Sequence, residues 1–290
     1  MAFEHVFIGE KQVIDSDTER ERVEESNAKK EFGLLRHRLQ AHMPSPLRAH
    51  LQAVFTEQWL QETVTVETPR GPIAFVMLGK ASARRGATLL TKQPATIAWI
   101  DGFAPGSVFW DVGANIGVYT LYAALRADGH VVAFEPVAVN YFLLAANCEV
   151  NQVDRRVTAL PIGVGDRDGI DRIEASQFKA AKSFSFAGKP NEPYPSRQAA
   201  IVLSMDRLVG DFGLPCPHYL KIDVPDRTEA ILAGGAHVLR RPELREIHLE
   251  FDDENEEEAR RLTARLVSAG FEPATRHAHR QSVDVTFVRR

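Results

Sequence analysis

The sequence predicts an α/β fold: a doubly wound, mostly parallel sheet preceded by an N-terminal extension of helices and a β-hairpin. From residue 107 onward, short apolar runs alternate with amphipathic segments, which is the pattern of consecutive βαβ units. The first of these apolar runs ends in a glycine-containing turn that leads into a helical segment. Such a turn is typical of α/β folds that bind nucleoside-containing ligands.

Two helices are predicted near the start of the chain. Residues 15–40 mix both signs of charge at helical spacing with sparse apolar positions, which indicates a solvated helix. Pro44 and Pro46 interrupt this pattern, and residues 47–60 then predict a second helix with one apolar side. The alternative interpretation is that these helices form a homo-oligomer or capture a substrate.

A β-hairpin is predicted to follow. Short apolar segments at 63–66 and 73–77 flank the turn-forming sequence Pro-Arg-Gly at 69–71. We therefore expect residues 1–86 to form the helical segment and hairpin, and residues 87–290 to form the main α/β domain.

The main domain is predicted to contain six strands and four helices. The strands are expected at 107–112, 130–135, 157–163, 218–224, 246–251 and 283–288, and the helices at 116–127, 137–149, 228–240 and 255–269. The acidic run at 252–258 suits the positive end of the last helix dipole, so it indicates a helix start and not a metal site. Residues 166–200 carry three phenylalanines with little periodicity, which predicts a long loop that covers a substrate, with disorder as the alternative.

Composition and charge narrow the class of function. The 290 residues are 44% hydrophobic and 26% charged, as in soluble globular proteins, and the net charge of −4 offers no basic field for nucleic acid. The only cysteines, Cys148 and Cys216, form no CxxC pair, which favours a reducing cytoplasm over a disulfide framework. No apolar run reaches the length of a membrane span or a signal peptide. We expect a cytoplasmic protein with neither a nucleic-acid partner nor a membrane span.

The strongest chemical signal is the segment VFWDVGANIGVYTLYAAL at 108–125. Gly113 and Gly117 bracket a strand-to-helix turn, where the missing Cβ atoms would let a ligand approach the backbone. The segment is not the dinucleotide fingerprint, which would need glycine in place of Asn115. The amide of Asn115 and the carboxylate of Asp111 suit an amino-acid moiety better than a pyrophosphate.

Glu135 ends the next predicted strand, HVVAFEP at 130–136, about 20 residues after the first glycine. An acidic residue at this place binds ribose hydroxyls in related folds, although a solvated strand end is the simpler alternative. Further along, the small residues of IGVGD at 162–166 could leave a slot for an adenine ring or could only form a turn.

These segments resemble the FkbM-type methyltransferases, a group within the class I S-adenosylmethionine-dependent enzymes. The resemblance covers roughly residues 87 to 272. It rests on LLTKQPATIAWID (89–101), VFWDVGANIGVYTLYAA (108–124), VVAFEP (131–136), IGVGDRDG (162–169), LSMDRLV (203–209), YLKIDV (219–224) and EIHLEF (246–251).

The resemblance implies a Rossmann-like class I fold, S-adenosyl-L-methionine as cofactor, and O-methylation of a hydroxyl on a small molecule, sugar, glycan or natural product. It also implies the residues that contact the cofactor. The methionine portion would lie beside Asp111, Gly113, Ala114, Asn115 and Gly117, the ribose beside Glu135 and Pro136, and the adenine beside Gly163, Val164 and Asp166.

The chain departs from the family pattern after the fourth motif strand. The family motif usually continues from Asp-Val with an acidic residue, Gly, any residue and Glu. Here Asp223 is followed, after Val224, by Pro225, Asp226 and, two positions on, Thr228. Pro225 fixes φ and removes a backbone donor. This departure leaves open a cofactor-binding protein without methyl transfer. A second alternative, independent of the departure, is a nicotinamide-dependent oxidoreductase.

Asp223, His248 and Glu250 are the candidate catalytic residues. The period of two places Lys221 with Asp223 on one strand face, and His248 with Glu250 on a face of the next strand. Ligands of open α/β sheets lie beyond the carboxyl ends of strands, so Asp223 or a histidine could accept a hydroxyl proton. The alternatives are an ion-pair role for Lys221, a core role for His248, and a magnesium ion shared by Asp223 and Glu250, although no metal site is expected.

Overall fold

The computed structural model describes residues 62–125, 129–175, 179–182, 196–224, 226–252, 255–279 and 282–290, together with Pro44 and Pro46. The chain divides into two compact units, residues 1–58 and 59–290, and the fold below belongs to the second unit. The predicted helices at 15–40 and 47–60 lie outside the described residues. A domain boundary after residue 86, and an oligomer formed through those helices, stay predictions.

Twelve strands and eight α-helices occur in the described part of the chain. The strands are β1 (Thr63–Val66), β2 (Ile73–Val76), β3 (Val108–Val112), β4 (His130–Phe134), β5 (Val157–Leu160), β6 (Gly163–Val164), β7 (Gly169–Ala175), β8 (Ser196–Leu203), β9 (Tyr219–Ile222), β10 (Glu246–Asp252), β11 (Phe271–His279) and β12 (Ser282–Arg289). The helices are α1 (Lys80–Ala87), α2 (Leu89–Lys92), α3 (Pro94–Asp101), α4 (Val118–Ala124), α5 (Ala138–Val150), α6 (Met205–Gly210), α7 (Thr228–Ala233) and α8 (Glu256–Ser268), with a 3₁₀ turn at Val238–Arg240. None of these described helices combines the length and the apolar composition of a membrane span.

The elements predicted for the main domain are present, and most of their ends agree to within two residues. Two of them are divided. The predicted strand at 157–163 becomes β5 and β6, which belong to different sheets, and the predicted helix at 228–240 becomes α7 and the 3₁₀ turn. The predicted hairpin is confirmed, since β1 and β2 pair antiparallel.

Seven strands form the main sheet in the order β11-β12-β10-β9-β3-β4-β5. The five strands from β10 to β5 are parallel, whereas β12 is antiparallel to both of its neighbours. The chain winds outward from β3 through β4 to β5 and then returns to add β9 and β10 on the other side. The strand order therefore reverses between β3 and β9, and ligands of doubly wound sheets bind at such a point. The predicted fold class is confirmed.

The sheet is covered on both faces because successive side chains of β3 point in opposite directions. Phe109 is buried with residues of α3, α4 and α5, whereas Trp110 is buried with residues of α6, α7 and α8. Full burial of an apolar side chain of this size contributes about 1.5–3 kcal/mol, so the two layers hold the carboxyl end of β3 in a fixed place.

The hairpin is attached to α5 by two asparagines. Asn147 Oδ1 accepts the Val76 N–H at 2.7 Å, and Asn151 Oδ1 accepts the Ala74 N–H at 2.8 Å. Asn151 Nδ2 also donates to the Ala74 carbonyl at 2.6 Å. These bonds satisfy the backbone of β2, which would otherwise be an open edge.

A second sheet, in the order β6-β8-β7, corrects the prediction for residues 166–200. β7 and β8 are antiparallel partners and cover both ends of the predicted loop. The sequence did not indicate β7 because its isoleucines are three residues apart, so Ile173 is buried whereas Ile170 is exposed. Residues 176–178 and 183–195 lie outside the described residues, and a role for this segment as a substrate cover stays a prediction.

Arg289 fixes the end of β12. Its Nε donates to the Leu244 carbonyl at 2.7 Å, its Nη2 donates to the Leu239 carbonyl at 2.9 Å, and its guanidinium lies 4.3 Å from the Phe271 ring centroid. One side chain therefore joins β11, β12 and the segment before β10.

Candidate functional site

The turn between β3 and α4 lies at the reversal of strand order. Gly113, Asn115 and Gly117 adopt φ values of 86°, 54° and 85°, a left-handed conformation that glycine adopts without strain. A Cβ on Gly113 would lie 2.3 Å from the Asp223 carbonyl oxygen, and a Cβ on Gly117 would lie 2.6 Å from Leu144 Cδ1. Protein atoms occupy the space beside both glycines, so the fold itself requires them. Contact of either glycine with a cofactor stays a prediction.

Glu135 is buried directly against this turn. Its Oε2 accepts the Asn115 N–H at 2.9 Å and its Oε1 accepts the Val137 N–H at 2.8 Å. Burial raises the pKa of Glu135 to about 7, although the two backbone donors lower it. The predicted ribose-binding carboxylate therefore also holds the turn and the start of α5 together.

The turn is further fixed to β4 through backbone groups. The N–H groups of Gly113 and Ala114 both donate to the Phe134 carbonyl at 3.0 Å. The carbonyl of Pro136, after the strand, accepts a bond from Gln198 Nε2 at 2.6 Å. Ala114 and Pro136 thus lie in the backbone that surrounds Glu135.

Residues 179–182 of the predicted substrate cover lie over the turn. Both Asn115 Nδ2 and Asn140 Nδ2 donate to the Lys182 carbonyl, at 2.8 and 3.0 Å. The Ala181 N–H donates to Asn140 Oδ1 at 2.8 Å, and Arg85 Nε donates to the Ala181 carbonyl at 3.1 Å. Neither Asn140 nor Arg85 was predicted from the sequence, because their partners lie 41 and 96 residues away along the chain.

The predicted adenine slot at 162–166 is partly filled by protein. Gly163 and Val164 are buried in β6. A Cβ on Gly234 would lie 1.9 Å from the Gly165 carbonyl oxygen, so the end of α7 is in direct backbone contact with this segment. The side chain of Asp166 is 44% exposed. The described contacts do not join these residues to the turn, and their role toward the adenine stays a prediction.

A row of polar side chains crosses one face of the main sheet near its carboxyl end. Strand register places Asp111 beside Lys221, Lys221 beside His248, and His248 beside Thr286. Asp223 lies one residue beyond β9, and Glu250 on β10 lies two residues after His248. The period-two prediction is thus confirmed in its placement of these residues.

Lys221 forms the buried centre of this row. Its side chain is 3% exposed, and its Nζ donates to Asp223 Oδ2 at 2.9 Å and lies 4.9 Å from the Tyr119 ring centroid. Burial lowers the pKa of Lys221, but the carboxylates of Asp223 and Asp111 raise it more, so the net pKa is raised and the side chain is protonated. The ion-pair role is the one that these contacts favour.

Asp111 differs from Asp223 although both lie beside Lys221. The Thr120 hydroxyl donates to Asp111 Oδ2 at 2.6 Å, whereas Asp111 Oδ1 is buried without a hydrogen-bond partner in the described part of the chain. Burial raises the pKa of Asp111 more than Lys221 lowers it. Asp111 Oδ1 is therefore a buried hydrogen-bond acceptor that receives no hydrogen bond from the described residues.

Asp223 is the accessible member of the pair, with 28% of its side chain exposed. Burial acts to raise its pKa, but the charge of Lys221, assisted by Lys92 and Arg85, lowers the pKa below its ordinary value. Asp223 is consequently ionised at neutral pH.

His248 is enclosed in the core. Its Nε2 lies 3.1 Å from Thr96 Oγ1, its Nδ1 lies 3.0 Å from Thr286 Oγ1, and its ring stacks on Trp99 with centroids 4.7 Å apart. Burial lowers the pKa of His248, which keeps the imidazole neutral. With both nitrogens beside hydroxyls, the contacts favour a core histidine, and a catalytic role stays a prediction.

Glu250 reaches the surface of the site beside Gln93. Gln93 Nε2 donates to Glu250 Oε2 at 3.0 Å, and the Tyr119 hydroxyl donates to Gln93 Oε1. In the described part of the chain, no three His, Cys, Asp or Glu side chains are grouped so that they could hold a metal ion. Gln93 belongs to the motif at 89–101 and received no role in the sequence analysis. Its position before Pro94 at the start of a helix gave no sign of this contact.

A cavity of about 570 Å³ opens beside Glu250. α1 and α2 form one side, and Ala181, Lys182 and Ser282 form the remainder. Arg84, Arg85, Lys92 and Lys182 place four positive charges on its lining, and we call it the basic cavity.

Comparison with known proteins identifies a family. Residues 111–273 match the family model described as the methyltransferase FkbM domain. A 31-O-demethyl-FK506 methyltransferase FkbM of Streptomyces tacrolimicus is 43% identical over 70 residues, which are 24% of this chain and 26% of that protein. The AMB antimetabolite synthetase AmbE of Pseudomonas aeruginosa is 28% identical over 186 residues, which are 52% of this chain and 9% of that protein. The chain thus spans about a quarter or less of these curated relatives.

Two solved structures are similar at low identity. A methyltransferase FkbM from Methylobacillus flagellatus KT is 16% identical, with a TM-score of 0.45 over 64% of this chain and 44% of that one. A precorrin-6y C5,15-methyltransferase from Geobacter metallireducens GS-15 is also 16% identical, with a TM-score of 0.43 over 70% of this chain and 90% of that one. Because the family model matches more than half of its residues, the chain belongs to the methyltransferase FkbM domain family.

Proposed function

We propose that the protein is an S-adenosylmethionine-dependent O-methyltransferase whose acceptor is a hydroxyl of a sugar, glycan or natural product. Membership of the methyltransferase FkbM domain family supports the reaction class. The name of the relative from Streptomyces tacrolimicus describes an O-demethyl compound as its substrate, which supports a hydroxyl group as the methyl acceptor.

The residues around the turn fit the proposed cofactor. Glu135 interacts with the N–H groups of Asn115 and Val137 and with the Asn140 side chain, and the lone pairs that remain on its two oxygens could accept ribose hydroxyls. Asp111 Oδ1 is a buried acceptor without a partner in the described residues, which a ligand donor would satisfy. The amide of Asn115 is bound to the Lys182 carbonyl, so its use by a ligand requires that contact to open.

One observation carries the proposal: the candidate base and the turn are in direct contact. The Asp223 carbonyl occupies the place of the missing Gly113 side chain. The Asp223 N–H also donates to the Val112 carbonyl at 3.0 Å. The carboxylate of Asp223 is therefore held at a fixed distance from the turn by its own backbone, as a positioned catalytic group requires.

Asp223 can orient an acceptor hydroxyl and take its proton. S-adenosylmethionine supplies an electrophilic methyl group when bound. Because Lys221 keeps Asp223 ionised, the carboxylate accepts a hydrogen bond from a hydroxyl at neutral pH. A lowered pKa also makes Asp223 a weak base, so the proton moves only as the hydroxyl oxygen becomes acidic during the transfer.

The changed loop after Asp223 has one described residue, Asp226, with a left-handed backbone. Asp226 stands in place of the family's glycine and adopts a φ of 59°, a left-handed conformation that aspartate tolerates better than most residues. Pro225 lies outside the described residues. The left-handed φ of Asp226 leaves both the enzyme and the protein that only binds the cofactor to be separated by experiment.

The test compares Asp223→Asn with the wild type in two separate measurements. Calorimetry with S-adenosylhomocysteine should give an affinity within a few-fold of the wild type, because the turn and Glu135 are unchanged. Transfer of labelled methyl to a panel of glycans and metabolites, followed by mass spectrometry, should fall by about 10²–10⁴. Asp211→Asn, an exposed aspartate in a surface ion pair, is the matched control and should retain the wild-type rate.

Four outcomes separate the alternatives. Turnover by Asp223→Asn at the wild-type rate would exclude Asp223 as the base. Loss of wild-type turnover on treatment with EDTA, restored by magnesium, would favour a metal shared by Asp223 and Glu250. A thermal midpoint that rises with NAD but not with S-adenosylhomocysteine would refute the proposed cofactor, and cofactor binding without transfer to any acceptor would favour the non-catalytic alternative.

A further inference from the structure

The basic cavity is strongly positive in a chain whose net charge is −4. Arg84 and Arg85 on α1, Lys92 on α2, and Lys182 contribute four cations, and Glu250 is the one carboxylate among its described lining residues. The remaining lining side chains are neutral. Such a concentration of one sign of charge raises the local concentration of ligands of the opposite sign.

Three of the four cations that line this cavity have no ion-pair partner among the described residues. In the described part of the chain, Arg84, Lys92 and Lys182 take part in no salt bridge. Glu250 already accepts a bond from Gln93 Nε2. Three cationic groups are therefore available to an anion.

The cavity lies next to the candidate base. Lys92 and Arg85 are close enough to Asp223 to lower its pKa. Glu250, two residues after His248 on β10, belongs both to the polar side chains near Asp223 and to the cavity wall. Asp223 itself does not line the basic cavity, but two of the cavity's cations lie within electrostatic range of its carboxylate.

The simpler explanation concerns helix ends. Arg84 and Arg85 lie in the last turn of α1, and Lys92 in the last turn of α2, where positive side chains are favourable partners of the helix dipole. Lys182 is in no helix, however, and all four side chains line one volume. The dipole effect accounts for each of the helical cations separately and not for their convergence on one cavity.

We propose that the basic cavity binds an acidic group of the methyl acceptor, so that the substrate is a hydroxyl compound that also carries a carboxylate or a phosphate. This assignment rests on the proposed function. Arginine forks bind either group through paired hydrogen bonds, and lysines add charge without fixed geometry. Since Arg84, Lys92 and Lys182 are exposed, the binding should weaken as salt is added.

The test uses three probes that differ only near one carbon of a sugar: glucuronate, glucose 6-phosphate and neutral glucose. Each is titrated by NMR or calorimetry into the full chain, with and without S-adenosylhomocysteine, at low salt and at about 0.5 M salt. We expect at least one acidic probe to bind about tenfold more tightly than glucose, and we expect added salt to remove the difference.

Two double variants test whether the preference for acidic probes arises in the basic cavity. Arg84→Gln with Lys92→Gln should remove the tenfold preference and leave the affinity for S-adenosylhomocysteine unchanged. Arg155→Gln with Arg260→Gln removes the same charge from exposed positions outside the cavity lining and should keep the preference.

Several results would overturn the assignment. If the acidic and neutral probes bind equally well while S-adenosylhomocysteine still binds, the role assigned to the basic cavity is refuted and the proposed function is not. An equal loss of S-adenosylhomocysteine affinity in the cavity variant would show that these cations serve the cofactor's own carboxylate. A lower thermal midpoint of that variant with unchanged probe binding would favour the helix-dipole explanation. Failure of the wild type to bind S-adenosylhomocysteine would instead refute the proposed function.

Discussion

Replacement of Lys221 by methionine should destabilise the protein, because it removes the only cation in the described polar row of the sheet. Lys221 is 3% exposed and pairs with Asp223 at 2.9 Å, while Asp111 beside it is buried with one oxygen unpartnered. Removing one member of a buried ion pair leaves an uncompensated charge and costs about 3–5 kcal/mol. We expect the free energy of unfolding of Lys221→Met to fall by about this amount near pH 7.

The loss should depend on pH in a defined direction. The ion pair with Lys221 lowers the pKa of Asp223 in the folded wild type. The pair therefore stabilises the fold at pH values above the ordinary pKa of aspartate. This stabilisation is lost as the pH falls through the pKa that Asp223 has in the folded protein. The variant lacks this contribution at every pH. The difference between wild type and variant should therefore be largest near neutral pH and shrink as the solution becomes more acidic than about pH 4.

Urea unfolding of both proteins across this pH range measures the effect. Lys179→Met, at an exposed lysine, is the control and should change the free energy of unfolding by less than about 0.5 kcal/mol. A loss below about 1 kcal/mol for Lys221→Met, or a loss that does not vary with pH, would show that the ion pair does not carry the stability assigned to it.

Two further predictions concern the turn and its surroundings. Burial raises the pKa of Glu135 to about 7, so the folded protein binds a proton at this carboxyl group more tightly than the unfolded protein does. The free energy of unfolding should therefore fall by about 3 kcal/mol as the pH rises from near 4.5 to near 7. Urea unfolding of Glu135→Gln should lack this slope, and an unchanged slope would place the titration elsewhere. Gly234→Ala places a methyl 1.9 Å from the Gly165 carbonyl and should cost about 3 kcal/mol in thermal unfolding, whereas Gly210→Ala, which meets nothing within 4 Å, should cost nothing. Equal stability of these two alanine variants would contradict the backbone contact.

Six of the seven strands of the main sheet could be predicted because they are largely buried and mostly apolar in sequence. β11 could not, since its sequence FEPATRHAH is polar, exposed along most of its length and irregular between Pro273 and Thr275. β7 was missed for a related reason, namely that Ile170 and Ile173 do not alternate. Edge strands take their conformation from a neighbour, and that information is not local in sequence.

The polar row was predictable in part. Alternation along β9 and β10 correctly placed Lys221 with Asp223, because strand geometry fixes which side chains share a face. The burial of His248 depended on α3, whose Trp99 stacks on its ring and which showed no separate signal in the sequence. The reason for glycine at position 113 was also not visible in sequence, because its neighbour is the Asp223 carbonyl, 110 residues away.

The place of β12 between β10 and β11 affects how the protein must assemble. β11 leaves the ribosome before β12, yet among the described strands β12 is its one neighbour in the main sheet. Until residues 282–289 emerge, β11 has no strand to join and β10 presents an unpaired edge that includes Ile247, Leu249 and Phe251. Such an edge can pair with another chain. Nascent chains that stall between β10 and β12 should therefore be the species most prone to aggregate during synthesis, even though the completed sheet covers that edge.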